Sequence, residues 1–187
     1  MTIYALLIII FWLIFVLVWF ISAFTTKKGT WGSPKFIFVR VAVILVILFF
    51  LHERFPSAFG SFHIVAAAHP VLNLIGMIIC GTGIGFAIWA RFHLGKNWGM
   101  PMTVREKPEL VTSGPYRYVR HPIYTGVILA MLGSGLVSNV LWLVILFFYS
   151  FYFIYSAKKE EVQMLKIFPD RYPHYMKQTK MLIPFIY

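Results

Sequence analysis

The sequence predicts an all-α integral membrane protein with about five transmembrane helices, and three observations predict it. Of 187 residues, 60% are hydrophobic and 12% are charged, whereas soluble domains run near 45–50% apolar and about 25% charged. The apolar residues fall in long runs without charges, the mark of bilayer-spanning helices. The basic residues, 17 against 6 acidic for a net charge of +11, gather in alternate connections between those runs. In a soluble chain such an excess would suggest nucleic acid; here basic loops at a membrane surface explain it, and no nucleic-acid partner is expected. A single cysteine, Cys80, excludes an intrachain disulfide and any cysteine-based metal cluster. A soluble enzyme, a disordered protein and a secreted disulfide scaffold are all ruled out.

The first span is the unbroken run Ile3–Phe24. As a helix it would be about 33 Å long, enough to cross the hydrocarbon core. It lacks the basic start of a signal peptide and exceeds the usual short apolar stretch of one. Phe36–Leu51 is the second span, with Arg40 near its start where the side chain can snorkel. The third runs from about Val71 to Ala90. Ile123–Val137 and Val140–Ser156 are the fourth and fifth, separated by Ser138-Asn139 alone, which predicts a tight helical hairpin. Residues 1–70 thus form a pair of membrane helices with an outer loop. Residues 71–187 form a core of three spans, a polar loop at 91–122 and a carboxy-terminal segment at 157–187.

Charge orients the spans. Fifteen of the 17 basic residues lie between spans one and two, between three and four, or after five. Only Arg54 lies between two and three, and none between four and five. The positive-inside rule then places the amino terminus outside and the carboxy terminus in the cytoplasm. The polar loop and the carboxy-terminal segment share that inner side and should meet in space.

The richest stretch is Leu110–Gly126. Ser113-Gly114-Pro115 signals a turn, and Pro122 suits the first position of span four, where its missing N–H costs nothing. Arg120 and His121 precede the positive end of that helix, where free backbone N–H groups and a bidentate arginine can hold an anion. Tyr116 and Tyr124 offer ring faces suited to an adenine or a sulfonium cation. Glu160-Glu161, after Lys158-Lys159 at the mouth of span five, need water, a cation or donors there. Gly81-Thr82-Gly83-Ile84-Gly85 leaves backbone open in span three, although such glycines serve helix packing more often than ligands. His52, His63 and His69 lack metal-site spacing, and no metal site is expected. Each motif also has a plain reading: basic flank, helix-start proline or solvated face.

The combination is more specific. Ser-Gly-Pro-Tyr at 113–116, Arg120-His121-Pro122-Ile123-Tyr124 and Gly126, followed later by Glu160-Glu161 and Phe168-Pro169-Asp170-Arg171-Tyr172, resembles the isoprenylcysteine carboxyl methyltransferase family and its phospholipid methyltransferase relatives. The likeness covers roughly residues 75–187. It implies a membrane methyltransferase that binds S-adenosylmethionine in a cytoplasm-facing pocket and takes a lipophilic acceptor from the bilayer, in a bacterial inner membrane. Carried over by position, Glu109, Leu110 and Val111 flank the cofactor; Tyr116, His121, Pro122, Ile123 and Tyr124 form its wall; and Glu160 is the carboxylate contact. Analogy with the phospholipid enzymes adds Gly81, Gly83 and Glu161. Arg120, His121 and Glu160 are the residues placed nearest the chemistry. The family's prenylcysteine members carry a substrate-binding arginine four residues before the first glutamate, where this chain has Ser156. An isoprenylcysteine-type carboxylate is therefore one acceptor among several oxygen, nitrogen or sulfur nucleophiles. Sterol reductases share a similar Arg-His-Pro-X-Tyr segment, which leaves an NADPH-dependent reductase as the alternative, ahead of a non-catalytic transporter or assembly factor.

Overall fold

A computed structural model describes residues 2–23, 69–98, 109–137 and 141–184. The predicted second span at Phe36–Leu51, Arg40, the outer loop and the Ser138-Asn139 connection lie outside the described residues. Those described build an all-helical protein: α1 (Ile3–Ala23), α2 (Pro70–Leu94), α3 (Pro122–Val137), α4 (Leu141–Ile167) and α5 (Arg171–Gln178), with single 3-10 turns at Gly95–Asn97 and Gly114–Arg117. Ile3–Ser22 and Pro70–Asn97 are long and apolar enough to cross a membrane, while Pro122–Val137 is a shorter apolar helix.

Small residues set the closest contact. Gly76, Cys80, Gly83 and Ala87 on α2 meet Gly126, Ala130 and Gly133 on α3, so the two backbones nearly touch. A Cβ on Gly83 would lie 2.5 Å from the Gly126 carbonyl oxygen, and one on Gly133 would lie 2.4 Å from the Cys80 nitrogen. Without a hydrophobic drive between helices in lipid, such approach is what gives packing energy. Helix α1 crosses this pair. Its Phe11 ring fills the space beside Gly81, Trp12 donates from Nε1 to Ser134 Oγ at 3.0 Å, and its indole stacks on Trp142 at 5.6 Å. Ser134 passes its own hydroxyl to the Ala130 carbonyl at 2.8 Å, so this buried polar thread is satisfied.

Two elements run further than their hydropathy predicts. Helix α2 continues past Ala90 to Leu94, which takes Arg91 out of the expected basic loop and buries it, 2% exposed. Its guanidinium donates to the Ser22 carbonyl at 2.7 Å and the Gly95 carbonyl at 3.0 Å and lies 4.6 Å from the centre of the Trp98 ring. Arg91 thereby pins the end of α1 to the end of α2. Helix α4 passes Ser156 and carries Glu160-Glu161 on the same rigid rod to Ile167.

Beyond α4 the chain turns at Phe168-Pro169-Asp170 into α5 and then doubles back. Val119 and Lys180 form a parallel bridge. Arg120 N–H donates to the Lys180 carbonyl at 2.8 Å and His121 N–H to the Met181 carbonyl at 3.1 Å. Thr125 Oγ1 donates to the Leu182 carbonyl at 2.6 Å. Residues 179–182 are therefore a strap across the start of α3.

Candidate functional site

The loop that leads to α3 is shaped by one glycine. Gly114 has φ +59, a left-handed conformation in which a Cβ would be strained, and that Cβ would also meet the His93 ring at 2.6 Å. The His93 ring nitrogen Nε2 and Ser113 Oγ are hydrogen-bonded at 2.9 Å. The 3-10 turn that follows buries Pro115 and Tyr116. Tyr175 of α5 donates its hydroxyl to the Tyr116 carbonyl at 2.6 Å, tying loop to carboxy-terminal segment.

The polar cluster lies where this loop meets α4. Arg120 Nε donates to Glu161 Oε1 at 2.6 Å, with both side chains under a tenth exposed. Its Nη1 donates to the Thr179 carbonyl and, at 3.4 Å, to the Met176 carbonyl. His121 stands between the two carboxylates. Nδ1 lies 3.4 Å from Glu160 Oε2 and Nε2 lies 3.4 Å from Glu161 Oε1, yet Nε2 is buried without a hydrogen bond. The His121 ring lies parallel to Tyr124 at 5.5 Å, and Tyr124 in turn stacks on Phe153 at 4.8 Å. The Tyr124 hydroxyl donates to Glu160 Oε1 at 2.5 Å. Glu160 keeps 26% of its side chain exposed.

Electrostatics follow from this geometry. Burial works against a charged His121, but the nearby carboxylates of Glu160 and Glu161 outweigh it and raise its pKa above the ordinary histidine value. Burial likewise opposes ionised Glu161, and His121 with Arg120 overcome it, holding that carboxyl below its ordinary value. Burial pushes the Tyr175 hydroxyl up to about 12 and raises Tyr116 and Tyr172 as well. At neutral pH the tyrosines are donors.

The structure brings Arg120, His121, Pro122, Tyr124, Glu160 and Glu161 together from segments about forty residues apart, with Tyr116 joined through Tyr175. Ile123 is half-buried and packs on the apolar core. Glu109 is exposed and accepts a hydrogen bond from Asn97 Nδ2 at 3.4 Å. Leu110 and Val111 are half-buried on the approach to the Ser113 turn. Three of the expected site residues have other contacts in the structure. Gly83 lies in the α2–α3 contact and Gly81 against the Phe11 ring. Arg120 is not an open anion grip, because its guanidinium and backbone N–H are taken by Glu161 and by carbonyls of residues 176–180. Sequence reasoning missed the strap at 179–182. Only the spacing of Tyr172 and Tyr175, three apart on one face of α5, hinted that this segment packs inward.

Among the described residues no group of three or more His, Cys, Asp or Glu is placed to hold a metal ion. The phospholipid methyltransferase family profile matches residues 71–171. A cobalt-zinc-cadmium resistance protein of Cupriavidus metallidurans is 28% identical over 78% of this chain and 61% of its own length. A methanethiol S-methyltransferase of Crocosphaera subtropica is 35% identical over 38% of this chain and 28% of its own. A protein-S-isoprenylcysteine O-methyltransferase of Schizosaccharomyces pombe is 35% identical over 41% and 34%. The chain spans about three-fifths of the length of the first of these relatives. The matched span takes in both halves of the polar cluster, and this helical membrane protein belongs to the phospholipid methyltransferase family.

Proposed function

We propose that the chain is an S-adenosylmethionine-dependent methyltransferase that takes a lipophilic acceptor from the bilayer. It would span the membrane five times, with its amino terminus outside and with α3 and α4 as a hairpin. The observation that carries the reading is the convergence of the Arg120–Tyr124 motif on Glu160-Glu161, through contacts of 2.5 and 2.6 Å. The residues fit a cationic nucleoside: a partly exposed carboxylate, a second carboxylate beside it, aromatic faces, and a buried ring nitrogen that lacks a hydrogen bond. Bound S-adenosylmethionine supplies an electrophilic methyl group. The chain's own residues align and dehydrate. Tyr124 fixes one oxygen of Glu160, Arg120 fixes Glu161, and the strap holds Arg120. Alignment of donor with acceptor and exclusion of water are what such a transfer needs most. Relatives named for sulfur and for isoprenylcysteine substrates support methyl transfer across a range of acceptors.

Calorimetric titration of the detergent-purified protein with S-adenosylmethionine, S-adenosylhomocysteine and NADPH tests this. Saturable binding of the first two is expected, weakened about tenfold or more in Glu160→Ala, the effect of losing a charge-assisted contact. A folded, monodisperse sample that binds neither would end the methyltransferase reading. Binding of NADPH alone would replace it with a reductase.

A further inference from the structure

Helix α5 and the strap that follows it have two sides. Inward, the carbonyls of Met176 and Thr179 accept from the Arg120 guanidinium, and that of Lys180 accepts from the Arg120 N–H. Tyr172 and Tyr175 are buried on this side. Outward, Arg171, His174, Lys177 and Gln178 share one exposed face of α5, and Lys180 is exposed beyond it. The His174 and Gln178 side chains are hydrogen-bonded to each other at 2.9 Å. Arg171, Lys177 and Lys180 pair with no carboxylate among the described residues. From residue 162 to the carboxy terminus the sequence has Lys166, Arg171, Lys177 and Lys180 against Asp170 as its single acid. The outward face therefore carries positive charge that the chain leaves unmatched.

The path of the strap sets the depth of that charge. Lys180 pairs with Arg120, ahead of α3, and the Leu182 carbonyl accepts from Thr125, in the first turn of α3. Since α3 is apolar, the strap descends along it from the interface toward hydrocarbon. Met181 and Leu182 are buried, whereas Ile183 is 50% exposed, and an apolar side chain left open beside a membrane helix meets lipid. Lys180 is three residues earlier, at most about 10 Å away, a distance over which a lysine stem can carry its ammonium to the headgroups. A cationic helix face that ends in an apolar side chain has the composition of an interfacial anchor, and its counter-charge is the phosphate of an anionic lipid.

Resting on the reading of α3 as a membrane span, we propose that the outward face of α5 and Lys180 bind anionic phospholipid headgroups of the adjacent leaflet, and that this contact holds the strap on Arg120. The lipid is a ligand here and not a methyl acceptor. The coupling has a short path. Lys177 and Lys180 lie within two residues of the Met176 and Thr179 carbonyls that hold the Arg120 guanidinium, so a headgroup on one side restrains the acceptors on the other. Each lysine or arginine near such a surface contributes about fivefold in affinity, and salt screens it.

Hydrogen exchange of the full chain in phosphatidylcholine nanodiscs, with and without phosphatidylglycerol, reads the strap at the Arg120 and His121 amides. Phosphatidylglycerol should slow exchange there about fivefold or more, and high salt should erase the slowing. Lys177→Gln/Lys180→Gln should abolish it while exchanging like wild type in phosphatidylcholine alone. Lys96→Gln, at an exposed lysine in the turn after α2, should keep it. Equal exchange in the two lipids, slowing that survives the double substitution, its loss in Lys96→Gln, or fast exchange of the double variant in both lipids would each overturn the assignment. The same slowing on adding inorganic phosphate to phosphatidylcholine discs would give the face to a soluble anion and overturn it too. The Kd for S-adenosylmethionine is measured on the same discs. No cofactor binding in either lipid, with lipid-dependent exchange intact, would remove the methyltransferase reading and leave this one; cofactor binding with lipid-independent exchange would do the reverse.

Discussion

At the scale of single residues, His121 balances the charge of the site. It faces Glu160 and Glu161 on α4 and stacks on Tyr124, with Arg120 next to it in the chain and bonded to Glu161. Its raised pKa means that its stabilising contribution is complete below the ordinary value of 6.5 and is lost as pH rises through the folded-state value. Glu161 acts in the opposite sense: its contribution is present above the ordinary 4.5 and is lost as pH falls through the lowered value. The thermal midpoint of the purified protein should therefore decline toward pH 9 from its value near 6. His121→Asn should flatten that alkaline limb; an unchanged slope in the variant would show that His121 is not the titrating group. The motif residues were legible because charges and prolines are conspicuous in so apolar a chain. Arg91 and Ser156 were not, since their burial depends on where helices end and which face packs, neither of which their neighbours in sequence record.

Among elements, the α2–α3 contact is the most sensitive to substitution. Gly133→Ala would drive a methyl into the Cys80 nitrogen and the Gly76 carbonyl, both at 2.4 Å and both backbone. The helices would have to part, at a cost of about 1–3 kcal/mol. Gly85→Ala is the contrast, because nothing lies within 4 Å of its added carbon and alanine is the better helix former by up to about 1 kcal/mol. Thermal unfolding should show a lower midpoint for the first variant and an equal or higher one for the second. Equal midpoints in both would mean that the two helices yield at little cost. The spacing of glycines in α2 showed that a close approach occurs, without showing to what. The partner glycines on α3 lie some forty to sixty residues away, a separation that periodicity within one segment does not reach. Hydropathy placed α1 and the start of α3 well and stopped α2 and α4 short, because it marks the bilayer and not the helix.

Across the whole molecule, the reading of five spans makes a directional claim. Reporter fusions after residue 184 should be active only in the cytoplasm, and fusions at the amino terminus only outside; the reverse pattern would invert the site relative to its cofactor supply. The contact between loop and carboxy-terminal segment expected from charge alone is present in the described residues as the strap and the Arg120–Glu161 pair. That pairing also carries an implication for biosynthesis. Each acceptor of the Arg120 guanidinium, at Glu161, Met176 and Thr179, follows it in the chain. While the ribosome is still making α4, Arg120 is already in the chain and the carbonyls that complete the site do not yet exist. A nascent chain halted before residue 179 can therefore hold all of α1 to α4 and still lack the finished cluster.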